Sequence, residues 1–123
     1  MLHINLEETD STNSHVAREA ANLQSPTMVT AERQTAGRGQ RGNSWESEPG
    51  ENLTFSIFYR PSQLHPREQF MLSEAVALAI ADALAVFHIH AEVKWPNDIY
   101  VGDRKICGIL IEHSLFGASI SHS

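Results

Sequence analysis

The chain has 123 residues, 41% of them hydrophobic and 20% charged, with a formal net charge of −6. That is enough for one domain with a buried core but short for a complete enzyme, and nothing in the composition suggests a low-complexity or repeat architecture. The acidic balance argues against a general nucleic-acid or membrane-surface binder, which would carry a basic excess.

The opening segment, Met1 to Glu8, has neither a basic start nor a long apolar run, so no signal peptide is indicated. Asp10-Ser11-Thr12-Asn13 is a cluster of helix-capping residues ahead of Val16, Ala20 and Leu23 at helical spacing. Several small hydroxyl and amide side chains at one helix start also offer donors and acceptors to a neutral polar ligand. Thr27–Glu32 reads as a strand. It runs into Glu32–Trp45, where Gly37, Gly39 and Gly42 interleave with Arg33, Arg38 and Arg41.

Glycine lets the backbone approach a ligand closely, and bare N–H groups flanked by arginines make an anion-binding concavity. The spacing Gly-Arg-Gly-x-x-Gly lacks the Lys-Ser/Thr of a Walker phosphate loop and is not set directly between a strand and a helix, as a dinucleotide fold requires. The loop, about residues 35–51, is long for a compact domain, and Trp45 within it could stack on a planar ligand.

Leu53–Tyr59 alternates apolar and polar residues, a strand with Leu53, Phe55, Ile57 and Tyr59 expected inward. Pro66 suits a helix start, and 66–87 is expected to be a long core helix lying across a sheet through Phe70, Leu72, Val76, Ile80, Leu84 and Phe87. Ser73, Glu74 and Asp82 interrupt it, so it is not a membrane span. His88 and His90 share a face but have no third partner at metal-ligand spacing.

Glu92–Trp95 is a short strand leading to Pro96-Asn97-Asp98. A two-residue turn at Gly102-Asp103 then makes a hairpin, pairing 101 with 104, 100 with 105, 99 with 106 and 98 with 107. That register puts Asp98, Tyr100, Lys105 and Cys107 on one face and Ile99, Val101 and Ile106 on the other. Lys105 beside Asp98 is then either a cross-strand ion pair or a cation aimed at a ligand. Gly108 opens a run, Gly-Ile-Leu-Ile-Glu, that reads as a buried strand. Of nine Lys and Arg, three fall in 33–41 and three in 94–105, two clusters that suggest a local anion site in an acidic protein. The single Cys107 excludes an intramolecular disulfide and fits a reducing, cytoplasmic setting.

Asp-Ser-Thr-Asn (10–13), Gln-Thr-Ala-Gly-Arg-Gly-Gln-Arg-Gly (34–42), Lys-Trp-Pro-Asn-Asp (94–98) and Lys-Ile-Cys-Gly-Ile-Leu-Ile-Glu (105–112), in that order, resemble the biotin–protein ligase family over about residues 5–115. The resemblance implies an α+β fold of the class II aminoacyl-tRNA synthetase and biotin ligase type: a mixed, mostly antiparallel sheet with helices packed on one face. It makes 1–123 a catalytic domain incomplete at its C-terminal end, without the N-terminal DNA-binding domain of some relatives. It further implies that biotin and ATP, with Mg2+, form biotinoyl-AMP, and that the biotinyl group passes to a lysine of a biotin carboxyl carrier domain.

Carried over by position, Ser11, Thr12 and Asn13 contact the biotin ureido ring, with Gln34 beside it. Arg38, Gly39 and Gln40 order over biotin and the adenylate, and Gly108 also falls on the biotin side. The ATP side takes Gly37, Arg38, Arg41, Trp45 (against adenine), Asn97, Asp98 and Lys105. Lys105, with Arg38, carries catalysis by holding the biotin carboxylate and the α-phosphate oxygens. No residue is assigned as a metal ligand, and no nucleic acid or membrane partner is implied.

Two departures from the family pattern matter. The usual Gly-Arg-Gly-Arg has Gln40 at its second basic position, which removes a charge over the adenylate and predicts leakage of biotinoyl-AMP. The family's further C-terminal strand, helix and β domain are absent, which predicts an open sheet edge and a homodimer formed through it. Two other readings compete. One is a lipoate–protein ligase or related acyltransferase of the same fold, with Cys107 as nucleophile. The other is a catalytically incomplete fragment that binds ligand without turnover.

Overall fold

The computed structural model describes residues 1–39, 44, 52–60, 66–94, 98–114 and 117–122. In chain order the elements are β1 (Leu2–Thr9), α1 (Thr12–Glu19) with a 3₁₀ turn at Ala20–Asn22, β2 (Thr27–Gln34), β3 (Thr54–Tyr59), α2 (Pro66–Val86), β4 (Glu92–Lys94), β5 (Asp98–Val101), β6 (Arg104–Ser114) and β7 (Gly117–His122). They group into two compact units, Met1–Pro61 with Leu110–Ser123, and Ser62–Ile109. Strand pairing is antiparallel except for β1 with β2, so the fold is α+β with a mixed, mostly antiparallel sheet, as expected. Among the described residues no helix is long and apolar enough to cross a membrane.

The first unit is built on a β1–α1–β2 crossover. β1 and β2 are parallel, from Leu2 opposite Thr27 to Thr9 opposite Gln34, and parallel neighbours need a connection that returns to the starting edge. Here α1 and its 3₁₀ turn supply it. β3 pairs antiparallel with β2, and β7 with β3. β1 was not anticipated, although Leu2, Ile4 and Leu6 alternate with His3, Asn5 and Glu7. Val16, Ala20 and Leu23 pack with Val29 and Phe58, and Ile4 and Leu6 close the cluster. Burying a Val or Phe side chain contributes about 1.5–3 kcal/mol, so this cluster holds the helix on the sheet.

Arg60 fastens the far end of the crossover. Its guanidinium donates to the carbonyl of Leu23 (2.7 Å) and to that of Ala20 (2.6 Å), which also accepts the Leu23 N–H (3.3 Å), and it lies over the Phe58 ring at 4.8 Å.

β3 faces the opposite way from the expectation. Thr54, Ser56 and Phe58 are buried, whereas Leu53 and Tyr59 are exposed and Phe55 and Ile57 only half-buried. The buried face accepts two hydroxyl residues because α1 brings polar partners to meet Ser56.

In the second unit β4, β5 and β6 are antiparallel and α2 packs on β4 and β5. The buried residues here are Ala77, Ile99, Cys107 and Ile109. Of the residues expected to make α2 a core helix, Leu72, Val76, Ile80 and Leu84 are half-buried and Phe87 is 73% exposed, and Met71, Leu78 and Val86, which were not among them, are exposed as well. α2 closes with His88 in the left-handed region at φ 61. Ile89 N–H reaches back to Leu84 O and His88 N–H to Ala85 O, the paired bonds of a Schellman cap, with histidine where glycine is usual.

The β5–β6 turn has Gly102 at φ 64, the backbone that a two-residue hairpin asks of its first turn residue. The register begins as expected, with Val101 opposite Arg104 and Tyr100 opposite Lys105, then slips by one: Ile99 pairs with Cys107 and Asp98 with Gly108. Ile106 is the extra residue of the bulge, which moves Cys107 off the Asp98 face and into the apolar one beside Ile99. Ile106 is itself 39% exposed.

Candidate functional site

The first unit gathers its polar side chains at the start of α1. Ser11 caps the helix with extended backbone, its Oγ accepting from Ser14 N–H at 3.0 Å. Asp10 sets the entry. Its carboxylate accepts from Ser11 N–H (2.8 Å), from the Thr9 hydroxyl (3.0 Å) and from both terminal nitrogens of Arg18 (2.7 and 3.0 Å). The Arg18 guanidinium, then these neutral donors, hold the Asp10 carboxyl well below the usual carboxylate range. The β1–β2 ladder continues past both strands, with Thr35 N–H on Thr9 O (2.9 Å) and Ala36 N–H on Asp10 O (2.7 Å). The Gly/Arg stretch therefore leaves from beside the helix start.

Gln34, the last residue of β2, accepts from Thr12 N–H at 2.7 Å and so satisfies one of the orphan donors of α1. Ser56 Oγ lies 2.6 Å from Thr12 Oγ1 and 2.5 Å from Asn13 Oδ1. Ser56 has one proton. With that proton on the Asn13 carbonyl oxygen, the Thr12 hydroxyl donates to Ser56. Asn13 Nδ2 donates to Leu110 O (3.3 Å) and Glu112 Oε1 (3.1 Å), both on β6. Ser11, Thr12, Asn13 and Ser56 are all at most 3% exposed.

Glu112 also receives the Arg38 guanidinium as a fork, Nη1 to Oε2 at 2.9 Å and Nη2 to Oε1 at 2.7 Å. Arg38, then burial-opposed attraction and the Asn13 amide, keep the Glu112 carboxyl below its usual range, and Arg38 is correspondingly raised. Gly37 is buried, and the Arg38 backbone bridges antiparallel to Ser44.

The second unit holds the other cluster. Lys105 Nζ is 2.9 Å from Asp98 Oδ1, each side chain about one-third exposed at 33%, and Lys94 Nζ sits 4.2 Å over the Tyr100 ring. Gly108 faces Asp98 across the ladder. The cross-strand ion pair anticipated for Lys105 is thus formed. It survives the bulge because Lys105 keeps its pairing with Tyr100 and stays on the Asp98 face.

Of the anticipated residues, Ser11, Thr12, Asn13, Gln34, Gly37, Arg38 and Gly39 lie in the first unit. Thr12 is joined to Gln34, and Thr12, Asn13 and Arg38 are joined through Ser56 and Glu112. Asp98, Lys105 and Gly108 lie in the second. Gln40, Arg41, Trp45 and Asn97 fall outside the described residues. Ser56 and Glu112 were not anticipated as part of the site. A lone acid closing the apolar run Ile109-Leu110-Ile111 was the available signal for Glu112. Among the described residues no group of three His, Cys, Asp or Glu side chains converges as a metal site.

A buried array of hydroxyl and amide groups beside a Gly/Arg stretch suits a neutral polar ring carrying an anionic tail. Known proteins share this sequence and fold. The profile of the Biotin/lipoate A/B protein ligase family matches residues 5–122. The bifunctional ligase/repressor BirA of Escherichia coli is 41% identical over 104 residues, 84% of this chain and 32% of that protein. The biotin–[acetyl-CoA-carboxylase] ligase of Paracoccus denitrificans is 36% identical over 118 residues, 94% of this chain and 48% of that protein. The Aquifex aeolicus biotin protein ligase, solved in complex with biotin and ATP, superposes with a TM-score of 0.87 at 32% identity, covering 98% of this chain and 50% of that one. This chain therefore spans 32% to 50% of the length of each of these relatives. With the profile matching nearly end to end, the chain belongs to the biotin/lipoate A/B protein ligase family.

Proposed function

We propose that this chain is a catalytic segment of a biotin–protein ligase, activating biotin with ATP and passing it to a lysine of a biotin carboxyl carrier domain. The observation that carries the reading is the buried Thr12–Ser56–Asn13 chain with Gln34, which supplies neutral donors and acceptors where a cyclic urea would bind. The Aquifex aeolicus relative's complex with biotin and ATP supports the same two substrates.

In the first step a biotin carboxylate oxygen forms a bond to the α-phosphorus and pyrophosphate leaves. In the second, the lysine amine attacks the acyl carbon, an amide forms, AMP departs, and the amine's proton is lost to solvent. Neither step needs a protein nucleophile. Both need charge neutralisation and alignment, worth several orders of magnitude in rate when preorganised. We assign that role to Lys105, held in place by Asp98, with Gly108 at close approach. Mg2+ enters with the ATP phosphates, as part of the substrate. Gly37, Arg38, Gly39, Gln40 and Arg41 cover the adenylate, Trp45 stacks on adenine, and Asn97 with Asp98 flanks the phosphates.

Cys107 is 5% exposed and paired into the apolar face, which speaks against a thiol nucleophile and so against the lipoate reading. The single cysteine supports a cytoplasmic setting. Self-association through an open edge would fall to β1 or β4, each of which pairs on one side only among the described residues. Calorimetric titration tests the assignment: heat with biotin and none with lipoate is expected. Lipoate heat without biotin heat would contradict it.

A further inference from the structure

Arg38, expected as a cation for the ligand, already has both terminal nitrogens on Glu112 at 2.9 and 2.7 Å. The same carboxylate accepts from Asn13 Nδ2 at 3.1 Å. One side chain on β6 therefore ties down the Gly/Arg stretch and the amide at the head of α1. A bidentate guanidinium–carboxylate fork fixes a plane as well as a distance, and its two charges cancel for any anion that approaches. The Asn13 amide is oriented by the same contact. With Nδ2 turned toward Leu110 O and Glu112, its Oδ1 is turned toward Ser56, and Asn13 is 2% exposed.

We propose that Glu112 is the positioning residue of this site. It pins the Gly/Arg stretch through Arg38 and sets the Asn13 amide, so that the Arg38 guanidinium serves as the anchor of the stretch and not as an anion receptor. The inference rests on the biotin reading above and divides the labour within it.

The test is a double-mutant cycle on biotin affinity, measured by calorimetry on the full chain with Arg38→Gln, Glu112→Gln and both together. Glu112→Gln keeps the length of the side chain and an acceptor for Asn13, and removes the charge. Each single change is expected to weaken biotin binding by about tenfold or more, the scale of a lost charge-assisted pair. The double variant is expected to be no weaker than the worse single. An anion receptor behaves differently: freeing Arg38 by Glu112→Gln would tighten biotin or leave it unchanged, and Arg38→Gln would cost the same in both backgrounds. Either result overturns the proposal.

Arg38→Lys provides a second reading that does not depend on the folding of the Glu112 variant. Lysine keeps the charge but cannot make the fork, so it is expected to bind biotin as weakly as Arg38→Gln. Affinity within about threefold of the wild type would overturn the anchor role. If the wild-type chain itself bound no biotin, the functional reading would fall, and the pin would be judged on trypsin cleavage of the Arg38–Gly39 bond. Faster cutting in Glu112→Gln, or in Glu112→Ala, supports the pin. An unchanged rate refutes it.

Discussion

Ser56→Ala is the most informative single change, because one oxygen atom joins two residues of the helix start. Ser56 is 0% exposed, and its Oγ is 2.6 Å from Thr12 Oγ1 and 2.5 Å from Asn13 Oδ1. Alanine leaves almost no cavity, so the cost comes from the two polar atoms stripped of a partner. A buried group left unsatisfied costs about 1–3 kcal/mol. Thr12 can recover part of this by rotating its hydroxyl, which places the expected loss at about 2–4 kcal/mol. Urea unfolding followed by far-UV circular dichroism reads it directly. With a slope of about 1–3 kcal/mol per molar for a small protein, the midpoint should fall by about 1–2 M while the slope stays constant. A fall smaller than about 0.3 M would show that the network contributes nothing net and that the reversed facing of β3 has another cause.

Other outcomes follow from the same geometry. His88→Gly should stabilise the chain by about 1 kcal/mol, since a β-carbon at φ 61 is unfavourable, and a lower urea midpoint would contradict the Schellman cap. Arg60→Ala should cost about 1–3 kcal/mol, because the Leu23 carbonyl loses its guanidinium partner while Ala20 O keeps the Leu23 N–H, read as a loss of unfolding free energy. Glu112 has its carboxyl depressed below the ordinary 4.5 by the Arg38 hydrogen bonds. Its folded-state contribution is therefore fully present above that value and lost as pH falls below it through the depressed one. Urea midpoints of the wild type and Glu112→Gln should differ by a constant amount above pH 5 and converge below about 4.5, with no convergence refuting the linkage. Gln40→Arg should lengthen the lifetime of biotinoyl-AMP on the protein. An unchanged release rate would show that the missing charge is immaterial.

The α+β class, the helix after Asp10 and the Gly102 hairpin were legible in local pattern because caps, apolar spacing and turn chemistry act over a few residues. The burial sense of β3 was not. Alternation told that Leu53–Tyr59 is a strand, but the apolar set went to the half-covered face, because the hydrogen-bond partners that let Ser56 be buried, Thr12 and Asn13, lie 44 and 43 residues away in sequence. The slip at Ile106 was equally invisible, since a bulge is chosen by packing: it buries Cys107 beside Ile99 and leaves Lys105 opposite Tyr100. The site was legible where its chemistry is local, as at Ser11–Asn13 and the Gly/Arg stretch. Glu112 was hidden because its meaning depends on Asn13 and Arg38, 99 and 74 residues distant. Phe87, expected inward and 73% exposed, and the merely half-buried Leu72, Val76, Ile80 and Leu84 show the limit of periodicity, which marks an apolar residue without stating what covers it.

Biotin-dependent exchange of pyrophosphate into ATP tests the central claim most directly, with the wild-type chain and Lys105→Ala compared side by side. The account predicts exchange that requires biotin in the wild type and is abolished in Lys105→Ala, while the variant keeps its far-UV spectrum. Exchange at the wild-type rate in Lys105→Ala, or none in a wild-type chain that binds biotin, would contradict it.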